Sequence, residues 1–275
     1  MLEQRILTVA VLLPLFLAAL FMLPNLYWGV LTSAGLALAA AEWGRLAGLS
    51  ATAARVYAVV LAAAALAVLV LERNDAFGPG FLYSPWGRFL YALDLLFWVT
   101  IVPVWLYLRR SVRAPLTMAA VGALVLFPFW HALVWLQHTP GRLLSVLALV
   151  WVADTAAYFT GRAFGRRKLA PHISPGKTWE GAAGALAGVI VYWLLLAALS
   201  PRHAGPMPLG LLLPLLLLPV SIYGDLFESW LKRMAGQKDS GTLLPGHGGL
   251  LDRVDALTST LPLAALYFAW PALRL

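Results

Sequence analysis

The stretch KDSGTLLPGHGGLLDRVD, residues 238–255, packs Lys238, Asp239, His247, Asp252, Arg253 and Asp255 among four glycines in a chain otherwise rich in Leu, Ala and Val. Asp252 and Asp255 are three apart, which on a helix puts both carboxylates on one side with Cβ atoms about 5–6 Å apart. A helix N-terminus favours anions there, so capping alone would account for one of the two. A second cluster precedes it in YGDLFESWLKR, residues 223–233. Asp225, Glu228, Ser229 and Lys232 follow i, i+3, i+4, i+7 and share one helix face. An Asp225–Lys232 ion pair of purely structural purpose is the plain alternative. The linker GQKDSGTLLPGHGG is long enough to fold back and bring Asp225 near Asp252. Convergent carboxylates without Cys or His ligands suit a hard cation such as Mg²⁺, which completes its shell with water and substrate phosphates. Lys232, Arg233, Lys238 and Arg253 form a basic rim for phosphate oxygens. An acidic centre with a basic rim points to phosphate chemistry. Gly248 and Gly249 would let phosphates approach the backbone, and His247 either caps a turn or contacts a phosphate.

A third cluster lies upstream in WVADTAAYFTGRAFGRRKLAPHISPGKTWEG, residues 151–181. Asp154 sits among apolar residues, where an ionisable group is costly and marks a functional position, unless it merely pairs with Arg162. The following loop joins Arg162, Arg166, Arg167, Lys168 and Lys177 to Gly161, Gly165 and Gly176, a combination able to wrap an anion with N–H groups and cations. Arginines in such a loop also fix membrane orientation. Gly176-Lys177-Thr178 is not a P-loop, because Pro171 stands where that motif needs Gly and no strand is expected before it. The block ISPGKTWEG, with Ser174, Lys177, Thr178 and Glu180 leading into a helix, reads as ligand-binding.

These clusters must be positioned by membrane helices. Of the 275 residues, 61% are hydrophobic and 12% charged, against roughly 45–50% and about 25% in soluble domains. Cysteine is absent, which excludes disulfides, thiolate metal sites and a cysteine nucleophile. About nine segments approach the roughly 20 apolar residues needed to cross a bilayer: 6–23, 25–41, 54–71, 89–108, 116–137, 142–160, 181–200, 208–228 and 256–273. Their apolar runs are continuous, without period-two alternation, so the expected fold is all-α and polytopic, not a barrel. The first run, preceded by Arg5, is longer than a usual leader's core and is expected to be a retained helix. Residues 1–275 read as one integral membrane domain, with 1–140 as scaffold and dimer contacts and 141–275 carrying the chemical motifs. Most of the 20 Lys and Arg fall at the N-terminus and in the loops after the second, fourth, sixth and eighth segments. Excess positive charge marks the cytoplasmic side, which puts the N-terminus and all three clusters in the cytoplasm and the C-terminus outside. The net charge of +8 is thereby assigned to topology and anionic substrates, and no nucleic-acid partner is expected.

The run SWLKRMAGQKDSGTLLPGHGGLLDRVD resembles the signature of the phosphatidate cytidylyltransferases, also called CDP-diacylglycerol synthases. Ser229, Lys232, Arg233, Lys238, Asp239, Gly241, Pro245, His247, Gly248, Gly249, Asp252, Arg253 and Asp255 fall in place, as do the upstream blocks DTAAYFTGRAFGRRKLAPHISPGKTWEG and GDLFES. The first five segments carry little signature. The resemblance implies the reaction CTP + phosphatidate → CDP-diacylglycerol + pyrophosphate at a bacterial cytoplasmic membrane, with Mg²⁺, a monovalent cation such as K⁺ beside it, and a homodimer. On this reading Asp225 and Asp252 are metal ligands, and Asp255 is a third ligand or supports one. Lys232, Arg233 and Lys238 hold phosphates, Asp154, Ser174 and Lys177 face CTP, and Lys168, Glu180, Ser229, Asp239, His247, Gly248, Gly249 and Arg253 complete the substrate site. A phosphate monoester is largely ionised at neutral pH, so no general base is needed and His247 is expected to be a contact. The alternatives are a CTP-dependent polyprenol kinase, a cytidylyltransferase for an ether lipid and, from another class, a transporter. Transporters place charge at the midplane of inverted repeats, whereas here it gathers at one surface.

Overall fold

A computed structural model describes residues 2–78, 80–112, 114–200, 209–243, 246 and 248–273, with side chains described from residue 10 to 270 except Leu209. His247 and Pro245 lie outside the described residues. The chain forms long helices joined by short turns: α1 (Leu2–Met22), α2 (Asn25–Leu46), α3 (Ala51–Arg73), α4 (Pro85–Leu108), α5 (Pro115–Gln137), α6 (Pro140–Phe164), α7 (Trp179–Leu199), α8 (Leu209–Met234) and α9 (Leu251–Leu273). Each expected segment is therefore a helix. Among the described residues, six helices are long and apolar enough to cross a membrane: α3, α4, α5, α6, α7 and the Gly210–Met234 part of α8. The chain is thus polytopic by length and composition. The part of α1 whose side chains are described, Ala10–Met22, is apolar.

Local chemistry explains the boundaries. Ser50, Ser84 and Thr178 each accept a hydrogen bond from the backbone N–H three residues on, capping α3, α4 and α7. Proline opens α4, α5 and α6 at a position where no N–H is needed. In α4 a π-turn at Phe97–Ile101 directly precedes Pro103. Proline's ring crowds the carbonyl four residues earlier, and a wider turn relieves that clash without ending the helix.

Strands were not expected anywhere, and here the structure differs. Between α6 and α7, β1 (Lys168–Ala170) and β2 (Ser174–Thr178) form an antiparallel hairpin with Lys168 opposite Thr178. A short strand does precede Gly176-Lys177-Thr178, but the tripeptide itself lies in β2, so its N–H groups do not form a phosphate-cradling loop. Strands this short carry no legible periodicity.

Apolar surface provides little drive for helix association in lipid, so close packing depends on small residues. Gly181, Gly184 and Gly188 line the face of α7 against α6. A Cβ on Gly184 would overlap Thr160, and one on Gly188 would come within 2.8 Å of Ala156. α8 and α9 meet in the same manner: a Cβ on Gly224 would lie 2.8 Å from the Asp255 carbonyl oxygen. α5 is buried centrally and holds Trp130 and His131, each 1% exposed. Indole N–H groups of α2 lock onto it, Trp28 donating to the Leu133 carbonyl at 3.2 Å and Trp43 to that of Met118 at 2.8 Å. Phe227 of α8 sits in a cage of Phe97, Trp98 and Trp105 from α4 and Trp43 from α2. These contacts fix α8 in depth and rotation. Gly184→Ala should destabilise the protein by about 1–3 kcal/mol through overpacking. Gly35→Ala, whose Cβ meets nothing within 4 Å, should be neutral or stabilising. Thermal unfolding of both variants in detergent checks the contrast.

Candidate active site

The three polar clusters come together at one end of the bundle. α8 ends and α9 begins there, and the linker folds back between them as expected. Lys232 donates to Asp252 Oδ1 at 2.6 Å and to Glu228 Oε2 at 3.0 Å. The structural Asp225–Lys232 pair weighed from the sequence is absent. Asp225 instead pairs with Lys177 of β2, and its Oδ1 accepts from Ser229 Oγ at 3.2 Å. The hairpin thus delivers a cation from 48 positions upstream onto α8. Asp154, from α6, lies within electrostatic reach of both Asp225 and Lys177. Arg162 bonds the Tyr158 hydroxyl at 3.2 Å, leaving Asp154 to face the cluster. Asp255 lies within electrostatic reach of Asp225 and Glu228.

The loop from 235 to 250 is organised by two carboxylates. Asp252 Oδ2 accepts from the Ser240 N–H (2.9 Å), Ser240 Oγ (3.0 Å) and the Gly249 N–H (2.8 Å). Glu42 of α2, 3% exposed, accepts from the N–H groups of Leu250 (3.0 Å) and Leu251 (2.9 Å) and from Ser240 Oγ (2.9 Å). It thereby satisfies donors at the start of α9 that have no partner within the helix. Glu42 was not foreseen. The same rule that singles out Asp154, that a carboxylate in an apolar helix is costly, applies to it equally.

The glycines have a use other than the expected one. A Cβ on Gly241 would come within 2.8 Å of Glu42, and one on Gly249 would press on both Ser240 and Glu42. Gly248 has φ +81°, and its added Cβ would sit 2.5 Å from Asp252 Oδ2. The backbone therefore approaches the protein's own carboxylates here. Glu180 likewise turns inward on the protein, accepting from the N–H groups of Arg166 (3.0 Å) and Arg167 (3.1 Å) and pairing with Arg167 Nε at 3.2 Å. That fastens the entry of the hairpin to α7. Ser174 is half-buried in β2, while Lys168, Arg233, Lys238, Asp239 and Arg253 are exposed around the site.

Five carboxyl groups, on Asp154, Asp225, Glu228, Asp252 and Asp255, gather around two ammonium groups, Lys177 and Lys232, so acidic side chains outnumber basic ones in the cluster. Glu228 Oε1 is buried and has no hydrogen-bond partner. Among the described residues no three His, Asp or Glu side chains converge into a metal-holding group. The expected ligands Asp225, Asp252 and Asp255 are thus adjacent without sharing one point, and lysine ammonium groups stand against the first two. An all-oxygen donor set, more carboxyl than ammonium groups and an unpartnered buried oxygen fit a hard divalent cation.

The profile of the cytidylyltransferase family matches residues 3–270. A Pseudomonas aeruginosa protein named phosphatidate cytidylyltransferase is 41% identical over 98% of both chains. One of the same name from Haemophilus influenzae is 32% identical over 98% of this chain and 99% of its own. A Brucella suis phosphatidate cytidylyltransferase is 52% identical over 126 residues, 45% of each chain. Glu42→Ala would leave the Leu250 and Leu251 N–H groups without their charged acceptor, each such bond being worth about 1.5–3 kcal/mol, while Ser240 keeps Asp252. We expect lower thermal stability and faster proteolysis of the 235–250 loop, with Glu42→Gln intermediate; limited proteolysis in detergent measures it.

Proposed function

Because the chain belongs to the cytidylyltransferase family, we propose that this site transfers the cytidylyl group of CTP to phosphatidate, giving CDP-diacylglycerol and pyrophosphate. The observation that carries the reading is the union of Lys177, Asp225, Glu228, Lys232, Asp252 and Asp255 at one end of a membrane bundle. A phosphate oxygen of the lipid attacks the α-phosphorus of CTP, the bond to the β-phosphate oxygen breaks, and pyrophosphate leaves with that electron pair. The nucleophile is already ionised near neutral pH, so the residues need not remove a proton. Their task is to hold two polyanions together and neutralise them, which supplies most of the catalysis in phosphoryl-type transfer.

Lys177 is 25% and Lys232 12% exposed, and each faces carboxylates, so both ammonium groups are held in place before substrate arrives. Phosphate oxygens are stronger competitors for these lysines than water is, and the exposed Arg233, Lys238 and Arg253 add cations at the rim. Ser229 orients Asp225, and Ser240 with Gly249 orients Asp252, so the carboxylates keep their direction as partners exchange. Asp225 and Asp252, with Asp255 and Glu228 beside them, would hold Mg²⁺, which supplies charge neutralisation for the phosphate oxygens. Asp154 and Ser174 lie on the hairpin side and are assigned to CTP. His247 is assigned to a substrate contact on the resemblance alone, as are K⁺ and the homodimer.

We place the site on the cytoplasmic side of a bacterial inner membrane. Support comes from the gathering of Lys and Arg at that end of the bundle and from the bacterial relatives. α1, α2 and α9 are proposed to cross the bilayer along with the six strongly apolar helices. Purified protein in detergent with α-labelled CTP, phosphatidate and Mg²⁺ should yield lipid-linked CMP and one pyrophosphate per turnover. CDP as the nucleotide product would mean a kinase, and label entering another lipid but not phosphatidate would refute the acceptor. Asp252→Asn should lower turnover by about 100-fold with normal membrane insertion, comparable to loss of one group that neutralises transition-state charge. Near-normal turnover would remove Asp252 from the charged centre.

A further inference from the structure

At the opposite end of the bundle a cavity of about 830 Å³ lies between the start of α2, the end of α3 and the end of α5. Its volume falls within the usual range of small-ligand sites, roughly 300–1,000 Å³. Asn25, Glu72, Arg73, Asp75, Trp135 and His138 contribute to its wall, so both signs of charge meet an aromatic ring. None of them belongs to the cytidylyl-transfer site, from which the cavity is separated by the length of the helices.

Glu72 is held in one orientation by groups that are expensive to bury. Its Oε1 accepts from the Phe81 N–H at 2.8 Å and lies 3.3 Å from His131 Nε2. The other ring nitrogen of His131 stands 2.8 Å from the Tyr91 hydroxyl. Donation by that hydroxyl to Nδ1 leaves Nε2 as the N–H that points at Glu72, so the chain of bonds is self-consistent. His131 is 1% and Tyr91 0% exposed. The facing wall is equally fixed: Asn25 donates to the Val134 carbonyl and to Gln137 Oε1, both at 2.9 Å, and Gln137 donates onward to Leu20 and Leu23 carbonyls. A locked carboxylate thus borders a rigid cavity.

We propose that this cavity binds the headgroup of an ethanolamine phospholipid, its ammonium on Glu72 and Asp75 and its phosphate on Arg73. Helix ends lie at headgroup depth. The two carboxylates outnumber the one guanidinium, which favours a ligand with a cationic end, and Trp135 lines the same cavity. A primary ammonium donates N–H bonds to carboxylates, which a quaternary choline cannot do. A divalent cation is a poorer match, because the Arg73 guanidinium lines the same wall.

Binding of phospholipids with identical acyl chains to the purified full-length protein in detergent tests this, read by titration and thermal shift. The ethanolamine lipid should bind about ten-fold tighter than the choline or glycerol lipid, and soluble phosphoethanolamine should compete with it. Equal affinity for the three headgroups, or no competition, overturns the proposal. Glu72→Gln keeps an acceptor for Phe81 and His131 but removes the charge. It should cut ethanolamine-lipid affinity about ten-fold while leaving glycerol-lipid binding and cytidylyl transfer unchanged. A purely structural Glu72 would leave the headgroup preference intact in that variant. Should Glu72→Gln not fold, the exposed Asp75→Asn must weaken the same preference, and its failure to do so is equally decisive.

Discussion

One buried carboxylate, Glu42, governs how the rest of the site is arranged. It accepts two backbone N–H groups at the start of α9 and the Ser240 hydroxyl, which also bonds Asp252. Asp252 in turn anchors Lys232, and Lys232 anchors Glu228. Each member is a group whose burial would be unfavourable alone, and each is bonded to the next, with Glu228 Oε1 left without a partner at the end of the chain. The chain runs from the N-terminal half of the molecule to α8. The helices that carry no signature are therefore part of the site's support, with α2 supplying its keystone.

The glycines follow from the same constraint. Carboxylates can reach the 240–250 backbone only where no Cβ intervenes, which is the condition met at Gly241, Gly248 and Gly249. Gly224 acts at longer range. Its bare backbone lets α8 and α9 close to contact at Asp255 and Ser259, and that separation sets Asp225 beside Asp255. A side chain there would push apart the two carboxylate-bearing faces without touching either carboxylate.

Continuous apolar runs and turn residues were sufficient to locate every long helix, because a membrane span is a local property of composition. The i, i+3, i+4, i+7 stripe on α8 and the Asp252–Asp255 spacing were legible for the same reason. Pairings between distant elements were not. Lys177 with Asp225 and Glu42 with Leu250 depend on how helices pack, and no spacing within the sequence encodes them. The cost of an isolated charge in an apolar helix was nevertheless visible at Glu42, Glu72 and Asp94, as it was at Asp154. All three prove to be engaged: Asp94 takes the Trp98 indole N–H at 3.1 Å, and Glu72 orders the far cavity. Read evenly, that single rule would have pointed to both ends of the bundle.

Depth explains why the chemistry sits where it does. At 1.5 Å per residue, Lys232 is about 3 Å from the end of α8 at Met234, Asp225 about 14 Å, and Asp255 about 6 Å from the start of α9. The headgroup layer outside the hydrocarbon is roughly 5–8 Å thick on each side. On the proposed function, a lipid phosphate at headgroup depth would lie level with Lys232 and Asp252, and a water-borne nucleotide would enter from above. Asp225 lies deeper, where an unneutralised charge would be least tolerable, and there the hairpin brings Lys177 down to meet it. A fold that had to lift phosphatidate into water, or sink CTP to the midplane, would expose either acyl chains to solvent or a triphosphate to hydrocarbon. Carboxylates and lysines placed in graded depth across the interface would, on the proposed function, let both substrates react with neither one leaving its own phase.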